Sequence, residues 1–118
     1  MDFYQTDLTQ LHDDLVNKKI SATELTKETF DHIKGNEDQV KAFINLNEDA
    51  AMKRAQEIDE AGIAGDQLVS GVPLAVKDNI LTKGLTTTAA SKMLEHFNPV
   101  YDATVVDKIG RASCRERV

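Results

Sequence analysis

The apolar residues near the start of the chain recur at helical spacing. Leu8, Leu11 and Leu15 lie three and four residues apart, which places them on one face of a helix. Thr6 precedes them and can cap the first turn with its hydroxyl. The polar residues 17–19 are typical of a helix end. We therefore expect a first helix with one buried face.

A second helix is indicated by its own start signals. Ser21 and Glu24 have the spacing of a capping box, in which each side chain accepts a hydrogen bond from the backbone of the other. Ile20 and Leu25 have the spacing of a hydrophobic staple across the same turn. Gly35 is a natural helix stop, so we expect this helix to end there.

A strand and a third helix are predicted next. Residues 40–46 combine β-branched and aromatic side chains with partial alternation, which favours a strand. Asn47 can cap a helix that ends before Gly62. The predicted buried face of that helix carries Ala51, Ala55 and Ile58.

The rest of the chain alternates loops, strands and short helices. Residues 62–70 read as a loop, and residues 72–76 predict a short strand buried on both faces. Residues 86–88 are three threonines, which we assign to β structure. Two short helices are expected, one over residues 92–97 that is capped by Ser91 and a second that begins at Ala103 and is capped by Asp102. Strands separated by helices predict an α/β fold, with the first two helices forming a hairpin outside the sheet.

Composition restricts the class of protein further. The 118 residues are 41% hydrophobic and 29% charged, which is typical of a globular domain. No apolar run is long enough for a membrane span and the N-terminus does not resemble a signal peptide, so we expect a cytoplasmic protein. Cys114 is the single cysteine, and His12, His32 and His96 show no ligand spacing. The sequence thus predicts neither an intrachain disulfide nor a metal site.

The last ten residues differ in composition from the rest. Residues 109–118 hold three of the four arginines and match a translation of a common sequencing adapter, followed by its stop codon. We interpret them as a non-native tail and expect them to pack against nothing, so Cys114 is given no chemical role. Without their three arginines and Glu116, 11 basic and 19 acidic residues remain, a net charge of −8. Such an acidic surface is poorly suited to binding nucleic acid.

Lys77 is the residue that stands out chemically, because it directly follows the apolar run of residues 72–76. Lysine is rarely buried, so its stem can simply lie along apolar neighbours with the ammonium in water or paired to Asp78. Alternatively the ammonium lies in a poorly solvated site, which favours its neutral form and allows it to act as a general base. Asp78 and Asn79 are expected to satisfy backbone groups where the strand ends, and Gly84 to permit a turn.

Residues 71–80 and 82–95 closely resemble the amidase-signature family around its catalytic lysine. Residues 90–94, followed by Pro99 and residues 101–106, are similar to the tRNA-dependent amidotransferases of that family. The similarity extends over residues 1–108. It implies the N-terminal helical hairpin and the first strands and helices of a mixed-sheet amidase fold, truncated before the rest of the domain.

The resemblance also implies a mechanism in which Lys77 is one of three catalytic groups. In the family, a neutral lysine removes a proton through a bridging serine from a nucleophilic serine, which attacks an amide. Both serines belong to a Gly/Ser-rich segment that this sequence lacks. The chain's own serines, Ser21, Ser70, Ser91 and Ser113, have no such context. We therefore expect the chain alone to be inactive, with the substrate-binding residues beyond residue 108.

The implied partners and cofactors follow from the amidotransferase branch. Its glutaminase component hydrolyses glutamine to supply ammonia for converting Glu-tRNA(Gln) to Gln-tRNA(Gln). ATP, Mg and the tRNA would be used by the B subunit of the complex, and the C subunit would stabilise it, so no cofactor is expected on this chain. A stand-alone amidase acting on small amides, and a helical interaction module without chemistry, remain as alternatives.

Overall fold

Three helices make up the N-terminal part of the protein. The computed structural model describes residues 2–110 and 114–117. Helix α1 spans Leu8–Val16, α2 spans Ala22–Val40 and α3 spans Glu48–Ala61. Helix α1 ends at Asn17, so the predicted end of the first helix is confirmed.

The start of α1 lies one residue later than predicted. Asp7, and not Thr6, is the N-cap, and its Oδ1 accepts a hydrogen bond of 2.8 Å from the Gln10 amide. The Thr6 hydroxyl instead donates to a carbonyl further upstream. Leu15 is buried as expected, whereas Leu8 in the first turn is 45% exposed. The buried face of α1 is thus centred on its C-terminal half.

Helix α2 begins as predicted and ends later. The capping box is confirmed, with the Glu24 amide 3.0 Å from Ser21 Oγ and the Ser21 amide 2.9 Å from Glu24 Oε2. The predicted stop at Gly35 is wrong, because the helix continues through it and ends at Lys41 in a left-handed conformation (φ 50°). The predicted strand at residues 40–46 is absent: Val40 is the last residue of α2, and residues 41–46 form an irregular connection with a single bridge residue at Asn45. One glycine costs a helix about 1 kcal/mol, which a helix of 19 residues tolerates.

Helix α3 and the core agree with the sequence pattern. The helix ends at Gly62, although the Asn47 side chain makes no capping hydrogen bond. The buried apolar side chains of the three helices form one core: Leu15, Ala22, Leu25, Phe30, Ala51, Ala55 and Ile58, with Leu11, Ile20, Ile63 and Val72 packed against it. The small side chains of α3 allow it to pack closely on α2, since alanine adds little bulk between two helices.

A polar contact ties α3 to the start of α2. The Asp59 carboxylate of α3 accepts hydrogen bonds from the amides of Ala22 and Thr23, at 2.8 Å and 3.0 Å. It also accepts one of 2.6 Å from the Thr23 hydroxyl. These amides belong to the first turn of α2, where no intrahelical partner exists. Asp59 therefore acts as a second cap, supplied from a neighbouring helix.

The C-terminal part contains a small parallel sheet. Strand β1 spans Pro73–Val76 and β2 spans Cys114–Arg117, with a 3₁₀ turn at Lys92–Leu94 and helix α4 at Thr104–Gly110 between them. The strands pair in parallel, from Pro73 opposite Cys114 to Val76 opposite Arg117. Parallel strands require a crossover connection, which the intervening helix provides. The α/β class is thus confirmed.

This pairing contradicts the expectation that residues 109–118 pack against nothing. Residues 114–117 form β2, and α4 extends across the predicted boundary between residues 108 and 109. A ladder is built from backbone N–H and C=O groups, so a segment can pair without side chains selected for the contact. The adapter origin of the tail stays a prediction. Residues 111–113 and 118 of the tail lie outside the described residues.

Two further strand predictions are corrected. Strand β1 is not buried on both faces, because Val76 is buried and Ala75 is exposed. Residues 86–88 form a loop and not a strand. The Thr87 amide donates to the Phe97 carbonyl at 3.0 Å, so this loop is attached to the segment that follows the 3₁₀ turn. The preference of threonine for strands depends on packing against a neighbouring strand, and here the chain packs against a loop segment instead.

The short helices also differ from the prediction. The expected helix at residues 92–97 is reduced to the 3₁₀ turn, and Ser91 at its start makes no capping hydrogen bond. Helix α4 starts at Thr104. The side chain of Asp102, which was expected to cap this helix, accepts from the Lys83 amide through Oδ1 at 2.7 Å. Asp102 therefore links the start of α4 to the loop after β1.

Candidate active site

Lys77 lies directly after the last residue of β1, as the sequence predicted. Its side chain is exposed, so the predicted poorly solvated environment is not present among the described residues. The lysine borders an open, largely apolar depression of about 130 Å³ between β1 and α4. The lining residues are Leu74, Ala75, Val76, Lys77, Ile80, Val105, Val106 and Ile109. The catalytic role of Lys77 stays a prediction.

The backbone turns sharply after Lys77. The Ile80 amide donates to the Lys77 carbonyl at 3.0 Å, which closes a four-residue turn. Within this turn Asp78 is only 5% exposed. Its Oδ1 accepts from the Thr88 amide at 2.9 Å, its Oδ2 accepts from the Thr88 hydroxyl, and its carbonyl accepts from the Ala89 amide at 2.9 Å. The prediction that the Asp78 side chain satisfies a backbone group is confirmed, although that group is the amide of Thr88 and not one at the strand end.

The segment held by Asp78 has an uncommon backbone. Ala89 and Ala90 are both in the left-handed region, with φ of 47° and 58°. This conformation costs a residue with a Cβ roughly 1–2 kcal/mol. The Thr88 hydroxyl accepts from the Ala90 amide at 3.2 Å, and the Ser91 amide donates to the Thr88 carbonyl at 2.8 Å. Local hydrogen bonds centred on Thr88 thus compensate for the strain.

A second connection joins the loop after β1 to α4. Besides the bond between Asp102 and the Lys83 amide, the Ala103 amide donates to the Leu81 carbonyl at 2.8 Å. Gly84 has φ 83° with open space around its Cα, which confirms the predicted turn. The turn that follows Lys77 is therefore attached both to residues 88–89 and to the start of α4.

The described serines and the buried histidine occupy structural positions. Ser21 caps α2, Ser70 is buried in the loop after α3, Ser91 begins the 3₁₀ turn, and Ser113 lies outside the described residues. His12 is 4% exposed and its Nε2 is 3.0 Å from the Gly65 carbonyl. This contact joins α1 to the loop that follows α3.

The two other histidines are at the surface. The His32 ring lies against Phe3 with ring centroids 4.9 Å apart and planes tilted by 38°, and His96 is 3.1 Å from Glu95. Over residues 2–110 and 114–117, no three histidine, cysteine or acidic side chains come together as a metal site would require. A search of the same residues for a helix of sufficient length and apolar character to cross a membrane found none.

The site thus consists of a lysine that follows a short parallel strand, on a turn fixed by a buried aspartate. The family model described as Amidase matches residues 24–114, more than half of the chain. This chain belongs to the amidase family. The family resemblance of residues 71–95 is thereby confirmed.

The similar proteins are more specific than the family. Over 112 residues the chain is 85% identical to the A subunit of glutamyl-tRNA(Gln) amidotransferase from Limosilactobacillus reuteri (strain DSM 20016). It is 68% identical over 112 residues to the protein of the same name from Limosilactobacillus fermentum. Each alignment covers 95% of this chain and 23% of the other protein. The chain therefore spans about a quarter of the length of these relatives.

Solved structures show the same fold. Native peptide amidase from Stenotrophomonas maltophilia superposes with a TM-score of 0.84 at 28% identity, covering 99% of this chain and 24% of that one. A bacterial aryl acylamidase of the amidase-signature family superposes with a TM-score of 0.81, covering 95% of this chain and 24% of that one. Its identity is 20%, so this likeness concerns the fold. The helical unit followed by β1 and α4 is thus a shared part of larger amidase structures.

Proposed function

We propose that this chain is the N-terminal part of a glutamine-hydrolysing amidase that supplies ammonia for converting Glu-tRNA(Gln) to Gln-tRNA(Gln). The observation that carries the proposal is the 85% identity, over 95% of the chain, to a protein named for that reaction. The fold and the lysine after β1 are compatible with it. Because the chain spans about a quarter of its relatives, the activity belongs to the longer protein.

In this proposal Lys77 is the general base of the reaction. Its neutral amine removes a proton, through a bridging serine, from a nucleophilic serine, and the serine oxygen bonds to the side-chain amide carbon of glutamine. Ammonia leaves when the C–N bond breaks, and water then releases glutamate from the acyl-enzyme. Both serines would come from the remainder of the longer protein, which would also cover the exposed side of Lys77. The remainder of the longer protein would exclude water from Lys77, and this desolvation favours the neutral amine.

The proposed partners are the B and C subunits of the amidotransferase, with glutamine as the substrate. ATP, Mg and the tRNA would bind to the B subunit. The acidity of residues 1–108, with a net charge of −8, supports this division, because such a surface attracts polyanions poorly. We place the complex in the cytoplasm, where aminoacyl-tRNA is made and used.

A stand-alone amidase acting on small amides is the second candidate. It is favoured by the superposition on peptide amidase at a TM-score of 0.84. Identity to that enzyme is 28%, against 85% to the amidotransferase relative. The first proposal therefore has the stronger support, and a substrate comparison separates the two. Membership of the amidase family argues against a helical module without chemistry.

The test uses a chimaera in which residues 1–108 replace the matching segment of the Limosilactobacillus reuteri protein, assembled with the other members of its complex. We expect ammonia release from glutamine, and a loss of about 100- to 10,000-fold in Lys77→Ala, the range typical of a missing general base. Lys83→Ala makes the same change six residues away at an exposed position and should have little effect. The 118-residue chain alone should release no ammonia.

Three results would contradict the proposal. Turnover by Lys77→Ala at the rate of the unmutated chimaera would remove the general-base role. A chimaera that hydrolyses small aliphatic amides or peptide amides faster than glutamine would favour the stand-alone amidase. Ammonia release by the 118-residue chain that is sensitive to Lys77→Ala would show that the chain is catalytically complete.

A further inference from the structure

The backbone on the C-terminal side of Lys77 is held by a buried carboxyl group. Asp78 follows the lysine directly, is 5% exposed, and makes two side-chain hydrogen bonds to Thr88 and a backbone one to Ala89. Hydrogen bonds to an ionised carboxylate are about twice as strong as neutral ones. A carboxylate with so little exposure is costly unless it is paired in this way. The attachment of Asp78 to residues 88–89 is therefore a strong constraint on the backbone next to Lys77.

The hydroxyl of Thr88 connects that constraint to the strained backbone. It donates to Asp78 Oδ2 and accepts from the Ala90 amide at 3.2 Å. Ala90 and the preceding Ala89 are both left-handed. Removing the hydroxyl would withdraw one of the bonds to Asp78 and one of the bonds that hold this conformation. One atom thus supports both the aspartate and the strained pair of alanines.

The backbone of Lys77 is fixed from both sides. Upstream it continues from β1, whose last residue, Val76, is buried. Downstream it is held by the turn from Lys77 to Ile80 and by Asp78. The direction in which the lysine side chain leaves the backbone therefore depends on Asp78 remaining attached to Thr88.

We propose that Asp78 and Thr88 are positioning residues for Lys77: the buried carboxylate and the threonine hydroxyl set the direction of the lysine side chain towards the reacting groups. This inference rests on the proposed function, since it requires Lys77 to act as the general base. A catalytic base must lie within hydrogen-bond reach of its proton, and a displacement of about 1 Å can reduce the rate by about 100-fold. Residues that fix the backbone of a base thus contribute to rate without touching substrate.

The variant that tests this is Thr88→Val in the chimaera, because valine has nearly the same shape and lacks the hydroxyl. We expect kcat for glutamine hydrolysis to fall by about 100-fold with little change in KM, since the substrate contacts are untouched. Thr88→Ser keeps the hydroxyl and should restore most of the rate. Thr86→Val is the matched control, because the Thr86 hydroxyl bonds to Asn98 Oδ1 at 3.2 Å and not to Asp78.

A pH profile distinguishes positioning from a loss of folded protein. The acidic side of the kcat/KM profile reports protonation of the essential base in the free enzyme. In Thr88→Val the surroundings of the Lys77 amine change, so this side of the profile should move. A smaller amount of folded enzyme lowers the whole profile without moving it. A proportional decrease with an unmoved profile would therefore overturn the inference.

The outcomes for Lys77 and Thr88 separate the two proposals. Full activity in Lys77→Ala would remove the proposed function, whatever Thr88→Val does. If Lys77→Ala is inactive while Thr88→Val matches Thr86→Val in kcat and pH profile, the general base stands and the positioning inference is wrong. The positioning inference is supported if Thr88→Val loses rate, Thr88→Ser restores it, and the acidic side of the pH profile moves in Thr88→Val.

Discussion

Replacing Asp59 by alanine should loosen the start of α2 by an amount that the structure allows us to estimate. Asp59 accepts three hydrogen bonds from Ala22 and Thr23, two of them from first-turn amides that have no intrahelical partner. Removing a capping side chain costs about 0.5–2 kcal/mol, and water can replace part of these bonds because Asp59 is exposed. Alanine has a higher helix propensity than aspartate, which offsets about 0.5 kcal/mol of this loss in α3. The net loss should be about 1 kcal/mol.

Amide hydrogen exchange is the assay suited to a change confined to α2. A loss of about 1 kcal/mol in the opening free energy lowers protection about 5-fold. We expect this decrease at the Leu25 and Phe30 amides, which lie in the buried part of α2. Glu60→Ala is the control, since it removes a neighbouring exposed carboxylate from the same helix. Unchanged protection in Asp59→Ala, or an equal decrease in Glu60→Ala, would refute the assignment of Asp59 as a cap supplied by α3.

Two further predictions concern stability. Gly71→Ala should lower the unfolding temperature, because Gly71 has φ 78° and a Cβ there would lie 3.1 Å from the Ala22 Cβ. Gly65→Ala is the control, since the space around Gly65 is open. Equal shifts of the unfolding temperature in the two variants would contradict this prediction. The hydrogen bond to Glu48, at 2.5 Å, raises the pKa of Lys34 above its ordinary value of 10.5. The pair therefore stabilises the fold below pH 10.5, and its contribution is lost as the pH rises through the raised pKa of Lys34 in the folded protein. In an NMR titration, Glu48→Gln should lower the Lys34 midpoint, and an unchanged midpoint would count against the pairing.

The helical part of the fold was the most predictable from the sequence, because its signals are local. The Ser21 and Glu24 capping box involves residues within one turn of each other, and the buried face of α3 follows from spacing along a single helix. The stop at Gly35 was wrong because the left-handed residue that ends α2 is Lys41. The position of a helix end is decided by what the next segment packs against, which a local pattern does not contain.

The site was predictable in its residues and less so in its surroundings. An apolar strand followed by Lys77 was visible in the sequence, and so was a structural role for Asp78. The hydrogen-bond partner of Asp78 could not be predicted, since Thr88 was assigned to β structure and a contact across ten residues leaves no periodic signal in the sequence. Whether a lysine at a strand end is buried depends on what packs over it, which a local pattern does not contain, and here Lys77 is exposed.

The core of the three helices has a consequence for the order of folding during synthesis. Its members all lie between residues 11 and 72, so the helical unit can fold as soon as these residues have left the ribosome. Strand β1 follows immediately, whereas its partner strand in this chain begins only at Cys114, within the segment that we interpret as a non-native tail. In the interval β1 exposes an unpaired edge to other nascent chains. Pro73, at its first position, has no N–H to donate, which shortens the edge that could recruit a wrong partner.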